Sequence, residues 1–351
     1  MSSSPNRLVT AFPWLFDELD PEEVASFVEQ LEPRQVAAGS TLIRHGEPCD
    51  TLYLLPEGAV AVSLGDGEHP IDLDEGDSLR LVGDLGVIRP GPASATVRAV
   101  EAMDGYALTH ASLVELLSGA PSRPAARLLL RLAQRIALRV RDGSAVRFES
   151  DAVGHGHLRG LLGPTDVNLG ELPTALSSMP RHGKGLGKRA PKDAEQRLIE
   201  MLRKEPELSM LGDTALVAIA RTVEICSCEP GTVLIEQGAV ADGAYYLLDG
   251  SAAVTARSEG SHFVVDRRLE PGHLFGQIAF LLAGERTATV EVSEPSTVAV
   301  FYSAAITWLV DGGAAGAPTG AHVLHWMAGE LADDARAQND RLLQAWSSRK
   351  A

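Results

Sequence analysis

Three cysteines, Cys49, Cys226 and Cys228, are all that the 351 residues contain. The count is odd and no pair has CxxC spacing, which excludes a disulfide framework and a zinc ribbon. Cys226-Ser-Cys228 reads as reduced residues on or near a strand. Positive charge is scarce too: 31 Lys and Arg stand against 47 Asp and Glu, for a net charge of −16 and an isoelectric point near 5.1. A protein that binds nucleic acid by neutralising phosphates is disfavoured by that balance. Long apolar runs are missing. The most apolar helical stretch, Leu128–Val140, is interrupted by Arg131, Gln134, Arg135 and Arg139, whereas a membrane span needs about 18 residues with few or no charges. The N-terminal "MSSSPNRLVTAFPWLF" is broken by Pro13 and lacks a signal-peptide core and cleavage site. A cytoplasmic protein is expected.

Catalytic signatures are also lacking. There is no Gly-x-Ser-x-Gly elbow, no His-Glu-x-x-His, no kinase set and no dinucleotide fingerprint, so an enzyme is not expected. The pair His155 and His157 falls in a glycine-rich stretch and reads as solvated, which leaves no metal site. His322 and His325 are assigned surface or partly packed places on a C-terminal helix. "GKGLGKR" is too short between its glycines, and lacks the Ser or Thr after lysine, to be a phosphate-binding P-loop.

What is present is an ordinary globular composition, 45% hydrophobic and 22% charged, with length for two domains. The chain repeats itself at an offset of 192: Gly39, Leu42, Ile43, Gly46, Asp50, Tyr53, Leu55 and Gly58 match Gly231, Leu234, Ile235, Gly238, Asp242, Tyr245, Leu247 and Gly250. So long a period means duplicated domains. In each copy short β-type runs such as "TLYLL" and "AVAVS" alternate with turn residues, the grammar of an antiparallel jelly roll. Helices flank each copy. Asp20 is placed as an N-cap with Pro21 at the first helical position. "RPAARLLLRLAQRIALRVRD" and the C-terminal run with Leu324, Met327, Leu331, Ala335, Leu342 and Trp346 near one face follow the two copies. The expected fold is therefore mainly β with flanking helices. Its domains are residues 8–148, a linker 149–193, and residues 194–351 with a C-terminal lid helix. Within the linker, Asp151–Asp193 holds eight glycines and four prolines, and "RHGKGLGKRAPK" carries five Lys and Arg; it is read as a flexible basic linker.

The stretch Gly276–Val290, "GQIAFLLAGERTATV", has the makings of an anion cradle. Its glycine lets a ligand approach the backbone, its short helix offers free N–H groups, and Arg286 supplies a planar fork of donors suited to phosphate. This stretch, and its counterpart in the first copy, resemble the phosphate-binding cassette of cyclic nucleotide-binding domains. That family includes the catabolite activator protein and the regulatory subunit of cAMP-dependent protein kinase. Its pattern runs Phe-Gly-Glu-Leu-Ala-Leu, a short spacer, then Arg-Ala-Ala-Thr-Val. Copy 2 has Phe275-Gly276-Gln277-Ile278-Ala279-Phe280 and Arg286-Thr287-Ala288-Thr289-Val290. Copy 1 has Val82-Gly83-Asp84-Leu85-Gly86-Val87 and Ala93-Ser94-Ala95-Thr96-Val97. The resemblance covers Leu8–Gly143 and Ala194–Ser348.

It implies cAMP or cGMP as ligand, with no further cofactor. In copy 2 Arg286 would hold the cyclic phosphate and Gln277 the ribose hydroxyl. Gly276, Ile278, Ala279 and Ala288 would supply backbone contacts, and Thr287 would sit where guanine preference is set. In copy 1 the corresponding residues are Gly83, Asp84, Leu85 and Ser94, with Ala93 in place of the arginine. Replacing glutamate by Gln277 costs on the order of 1 kcal/mol. Leaving a phosphate without its cation costs about 3–5 kcal/mol. Copy 1 is accordingly expected to bind no cyclic nucleotide unless Arg80 or Arg89 replaces the charge. Without a ligand, Arg286 would pair with Glu285, Glu270 or Glu291. The chain ends soon after its last helix, so no DNA-reading module is expected. The function expected is a non-enzymatic regulator that senses a cyclic nucleotide in domain 2 and couples it to a protein partner or a homo-oligomer. The alternative is an interaction protein with vestigial pockets.

Overall fold

The computed structural model describes residues 5–16, 19–64, 71–76, 80–119, 123–146, 187–256, 267–302 and 319–350. Packing divides the chain into two compact units, Met1–Glu171 with Ala328–Ala351, and Leu172–Met327. The last helix, Thr319–Lys350, is thus shared out between them. The sequence reading gave all of it to domain 2 as a lid; its residues from Ala328 onward pack with the first unit instead.

The first unit is built on two four-stranded antiparallel sheets. One runs in the order Glu32–Val36, Met103–Thr109, Thr51–Leu54, Leu81–Val82, and the other Thr41–Ile43, Thr96–Ala99, Val60–Leu64, Ile71–Gly76. Val60–Leu64 shows why this sequence forms a sheet with one dry face: Val60, Val62 and Leu64 are buried while Ala61 and Ser63 are half-buried, the period of two that a pleated strand imposes. The buried positions meet Val36, Leu55, Val82, Val97, Ala99 and Met103 in one core.

Helices surround the sheets. Pro21–Val28 starts as expected. Asp20 accepts hydrogen bonds from the Glu22 and Glu23 backbone N–H groups, and the Asp20 N–H donates to the Glu23 carboxylate, a complete capping box. Such a cap is worth about 0.5–2 kcal/mol. Arg123–Val146 follows the sheets and buries Leu129, Leu132, Ala133, Ile136 and Ala137 completely.

The second unit holds a seven-stranded sheet centred on two long strands, Gly243–Thr255 and Thr289–Tyr302, paired antiparallel with register shifts near Gly250. Glu224–Cys228 extends it, and Lys188–Arg189 pairs with that strand in turn. These two basic residues were expected in the flexible linker; they form an edge strand. The rest of that linker up to residue 186, including His155 and His157, lies outside the described residues.

Cys226 and Cys228 are buried free thiols on the Glu224–Cys228 strand. Burial, with Glu224 beside it, pushes the Cys226 thiol up to about 12, so it stays protonated and unreactive at neutral pH. His322 and His325 differ from expectation. Each is 1% exposed, because this part of the helix packs inward. The neighbouring Trp326 ring meets Tyr246 and Phe301 edge-on at 5.1 and 5.6 Å. The architecture is the expected one, mainly β with flanking helices in two jelly-roll-type domains. Among the described residues, no helix is long and apolar enough to cross a membrane.

Candidate functional site

In the second unit the cassette begins at Gly276, which has φ +79° and caps the short helix Gln277–Leu281. A β-carbon at Gly276 would lie 2.9 Å from Arg286 Nη1, so this glycine makes room for the arginine as well as for the turn. The Arg286 backbone is fixed from two sides: its N–H donates to the Ala239 carbonyl at 2.8 Å, and its carbonyl accepts from the Gly238 N–H at 2.9 Å.

The Arg286 side chain is buried and makes three hydrogen bonds. Nη1 donates to the Gly276 carbonyl at 2.8 Å. Nη2 donates to the Gly243 carbonyl at 2.8 Å and to Asp242 Oδ1 at 3.0 Å. The guanidinium carbon lies 5.5 Å from the centre of the Tyr245 ring, which stacks on Phe275. The Tyr245 hydroxyl also donates to Asp242, at 3.3 Å. Burial and the Asp242 charge push the Tyr245 hydroxyl above its ordinary value, against the pull of Arg286. The carboxylate partner is therefore Asp242, not Glu285, Glu270 or Glu291 as expected. The ion pair is largely dry, with side chains 3% and 16% exposed. Gln277 and Ala279 are buried, Ile278 and Ala288 half-buried, and Thr287 exposed.

The first unit repeats this frame with different chemistry. Gly83 has φ +89° and caps Asp84–Ile88. The Ala93 N–H donates to the Glu47 carbonyl at 2.8 Å and its carbonyl accepts from the Gly46 N–H at 2.9 Å. These are the bonds that hold Arg286, so Ala93 stands at the same backbone position. The threonine just before the cassette's last valine accepts a backbone N–H in both units: Thr96 from His45 at 3.0 Å and Thr289 from Gln237 at 3.1 Å.

Where the arginine is missing there is a cavity of about 60 Å³. Its lining includes Gly83, Asp84, Leu85, Ala93 and Ser94, and three arginines: Arg135, Arg139 and Arg336. Asp84 is 6% exposed. One of its oxygens accepts from the Leu85 N–H at 3.0 Å and lies 3.9 Å from Arg139 Nη1; the other lies 3.3 Å from Arg135 Nε. Arg135 also donates to the Leu81 carbonyl. Arg139 Nη2 is 3.5 Å from Ser94 Oγ. Burial pulls Arg139 below its ordinary value, Asp84 pulls it back up, and Arg135 and Arg336 push it down again.

Arg336 reaches the Leu85 carbonyl at 3.1 Å and the Arg89 carbonyl, and it pairs with Asp333 at 3.0 Å. The arginines expected to compensate for Ala93 are elsewhere: Arg80 donates to the Pro56 carbonyl and Arg89 pairs with Glu330 and Asp333.

Sequence reasoning thus missed Asp242, Arg135, Arg139 and Arg336. Asp242 had a signal, since it is one of the positions the repeat preserves. Arg135 and Arg139 had one too: four residues apart on an amphipathic helix, they share a face. Arg336 had none. Among the described residues no group of three His, Cys, Asp or Glu is placed to hold a metal ion.

The family model for the cyclic nucleotide-binding domain matches residues 33–119 and 225–312. A cyclic nucleotide-gated potassium channel of Mesorhizobium japonicum is 34% identical over 115 residues, 33% of this chain and 30% of the channel. A second such channel, of Rhizobium etli, is 34% identical over 115 residues and 31% of its length is matched. The chain thus spans under a third of the length of these relatives. The solved regulatory domain of Toxoplasma gondii PKA with cAMP aligns over 88% of this chain and 92% of its own, at 15% identity and a TM-score of 0.31. The N-terminal domain of a transcriptional regulator from Streptomyces coelicolor A3(2) aligns over 40% of this chain and 94% of its own, at 29% identity and a TM-score of 0.31. Both matched spans contain the cassettes described above, and the chain belongs to the cyclic nucleotide-binding family as a tandem of two such domains.

Proposed function

We propose that the chain is a non-enzymatic cytoplasmic regulator whose second domain, within residues 194–351, binds a cyclic nucleotide through Arg286 and passes that state to a protein partner or a second copy of itself. One observation carries this reading: Arg286 stands buried at the cassette position and bonded to a single carboxylate, Asp242. Asp242 acts as a resident anion that keeps the buried guanidinium paired while the site waits. A cyclic phosphate can take its place, because both are oxygen anions that suit the same planar fork of donors. Gln277 accepts the ribose hydroxyl, and Thr287, exposed beside the arginine, bears on the choice between cAMP and cGMP. The coupling to a partner requires that nucleotide bind one conformation better than another.

A second reading draws on the same geometry. Three internal acceptors, Asp242 and the carbonyls of Gly243 and Gly276, already serve Arg286. If that set is too stable to open, the pocket is a structural relic and the chain works through protein contacts alone.

Calorimetric titration of the full chain with cAMP and cGMP separates the two. Binding is expected in the wild type and lost in Arg286→Ala. Asp242→Asn should tighten it several-fold, since the competing anion is gone while the arginine remains; a charged hydrogen bond exchanged for a neutral one is worth about 1 kcal/mol. Silence in the wild type and in Asp242→Asn alike would select the relic.

A further inference from the structure

We propose that the cavity of the first unit is a binding site for a compact dianion, held by Arg139, Arg135 and Arg336 in place of the arginine that Ala93 lacks. The site lies wholly within that unit, to which residues from Ala328 onward belong, and it is separate from the Arg286 site.

Charge is the first argument. The charged side chains that line the cavity are three guanidinium groups and one carboxylate, Asp84. Asp84 serves both Arg135 and Arg139, at 3.3 and 3.9 Å, and the longer of these is a loose contact. The side-chain partner of Arg336, Asp333, is 53% exposed, so solvent screens much of that pairing. Gathering like charges in a dry place is unfavourable unless an anion joins them. The lining alone carries a formal charge of +2, offset in part by the exposed Asp333 on Arg336, and a dianion fits that balance.

Donor bookkeeping is the second argument. Arg139 has a side chain 8% exposed, and its Nε is buried with no hydrogen-bond partner; Arg336 Nε is in the same condition. Buried N–H groups of charged side chains are seldom left in this state, because each has given up water for nothing. Neither Nε meets open space as the side chains stand; small turns of the two guanidinium groups would aim them at an oxyanion, whose several lone pairs take several donors at once. Ser94, 3.5 Å from Arg139 Nη2, adds a hydroxyl at the rim of the same space.

Volume decides the ligand class. About 60 Å³ is available, room for about four to six waters at 10–15 Å³ each. Clefts that take drug-sized molecules run to about 300–1,000 Å³. The enclosed space matches a phosphate-sized or short dicarboxylate dianion better than a base, ribose and phosphate together. The first domain would then have kept the cassette frame, lost the cassette arginine, and drawn its cations from two helices instead.

The test is calorimetry of the full chain with inorganic phosphate at slightly alkaline pH, with succinate as a parallel titrant to tell a tetrahedral from a dicarboxylate preference. Saturable binding at one site per chain is expected with one of the two. Arg139→Gln and Arg336→Gln should each weaken it by at least about tenfold, the loss of one charged partner from a buried set. Ala93→Leu removes no charge and only fills the space, so it should abolish binding while the protein stays folded by circular dichroism. Arg286→Ala should leave the affinity unchanged, which separates this site from the one in the second domain whether or not that one takes a nucleotide. The proposal falls if neither titrant binds at tens of millimolar, if the Ala93→Leu protein binds as well as the wild type, or if cAMP displaces the dianion from the Arg286→Ala protein.

Discussion

At Gly83 the turn into the first cassette tolerates no side chain. Its φ is +89°, and a β-carbon would sit 2.0 Å from the Thr51 carbonyl oxygen. That neighbour is backbone, held in a sheet, and cannot swing aside. Gly39 is the instructive contrast: φ is +76°, yet nothing lies within 4 Å of its β-carbon position. Alanine at Gly39 meets only the left-handed backbone penalty, about 1–2 kcal/mol. Alanine at Gly83 meets that penalty and a collision, and should cost about 2–4 kcal/mol. Urea unfolding monitored by circular dichroism measures both. Equal losses would mean that conformation alone governs the turn and that the Thr51 carbonyl yields. The same scale of argument explains the Arg286 pair. Its carboxylate is 44 residues away, so no local pattern names it, but the repeated Asp50 and Asp242 mark the position.

The first half of the last helix shows how an element sets a pH response. His322 is 1% exposed, and burial holds its imidazole below the ordinary value of 6.5, opposed by a hydrogen bond with the Glu207 backbone. In the unfolded chain His322 takes up a proton near pH 6.5; in the folded chain it resists. Between the lowered value and about 6.5 the unfolded state binds more protons, so stability falls as pH drops through that window and is fully kept above it. Melting temperatures taken from pH 8 to pH 5 should therefore decline, and the decline should be shallower in His322→Gln. Identical slopes in the two proteins would show that His322 is not what the acid arm reports. This burial also marks a limit of sequence reading. Strands, the Asp20 cap, the flanking helices and the duplicated cassettes were legible because each is written in a local period or a glycine at a fixed spacing. The inward turn of His322 and the meeting of Asp84 with Arg135, 51 residues on, were not. They depend on which helix face the sheets cover. A charged residue on an apolar face reads as a flaw in the helix until the cavity behind it is known. Arg336 is the extreme case, since it belongs by sequence to the tail of the second copy and by packing to the first unit.

For the molecule as a whole, the dianion proposal sets a local charge against a global one. The net charge is −16, so a dianion approaching from solution is repelled. Inside the cavity three guanidinium groups face one carboxylate. The two fields respond differently to salt. Repulsion acts through water between exposed charges and is damped over a Debye length of about 8–10 Å near physiological ionic strength, whereas buried pairs are damped far less. Added salt therefore removes the obstacle faster than it weakens the attraction. The apparent affinity for the dianion should hold level or rise between about 20 and 200 mM of an inert salt. A site made of exposed lysines and arginines behaves in the opposite way, its affinity falling steadily as its few attractive charges are screened. Calorimetry across that range decides the matter. A steep fall would move the binding from the buried arginines to a basic surface such as the strand at Lys188, which is exposed. A flat or rising curve would mean that an acidic protein hides a cationic pocket whose strength comes from the dry surroundings of Arg139 and from the single carboxylate it shares with Arg135.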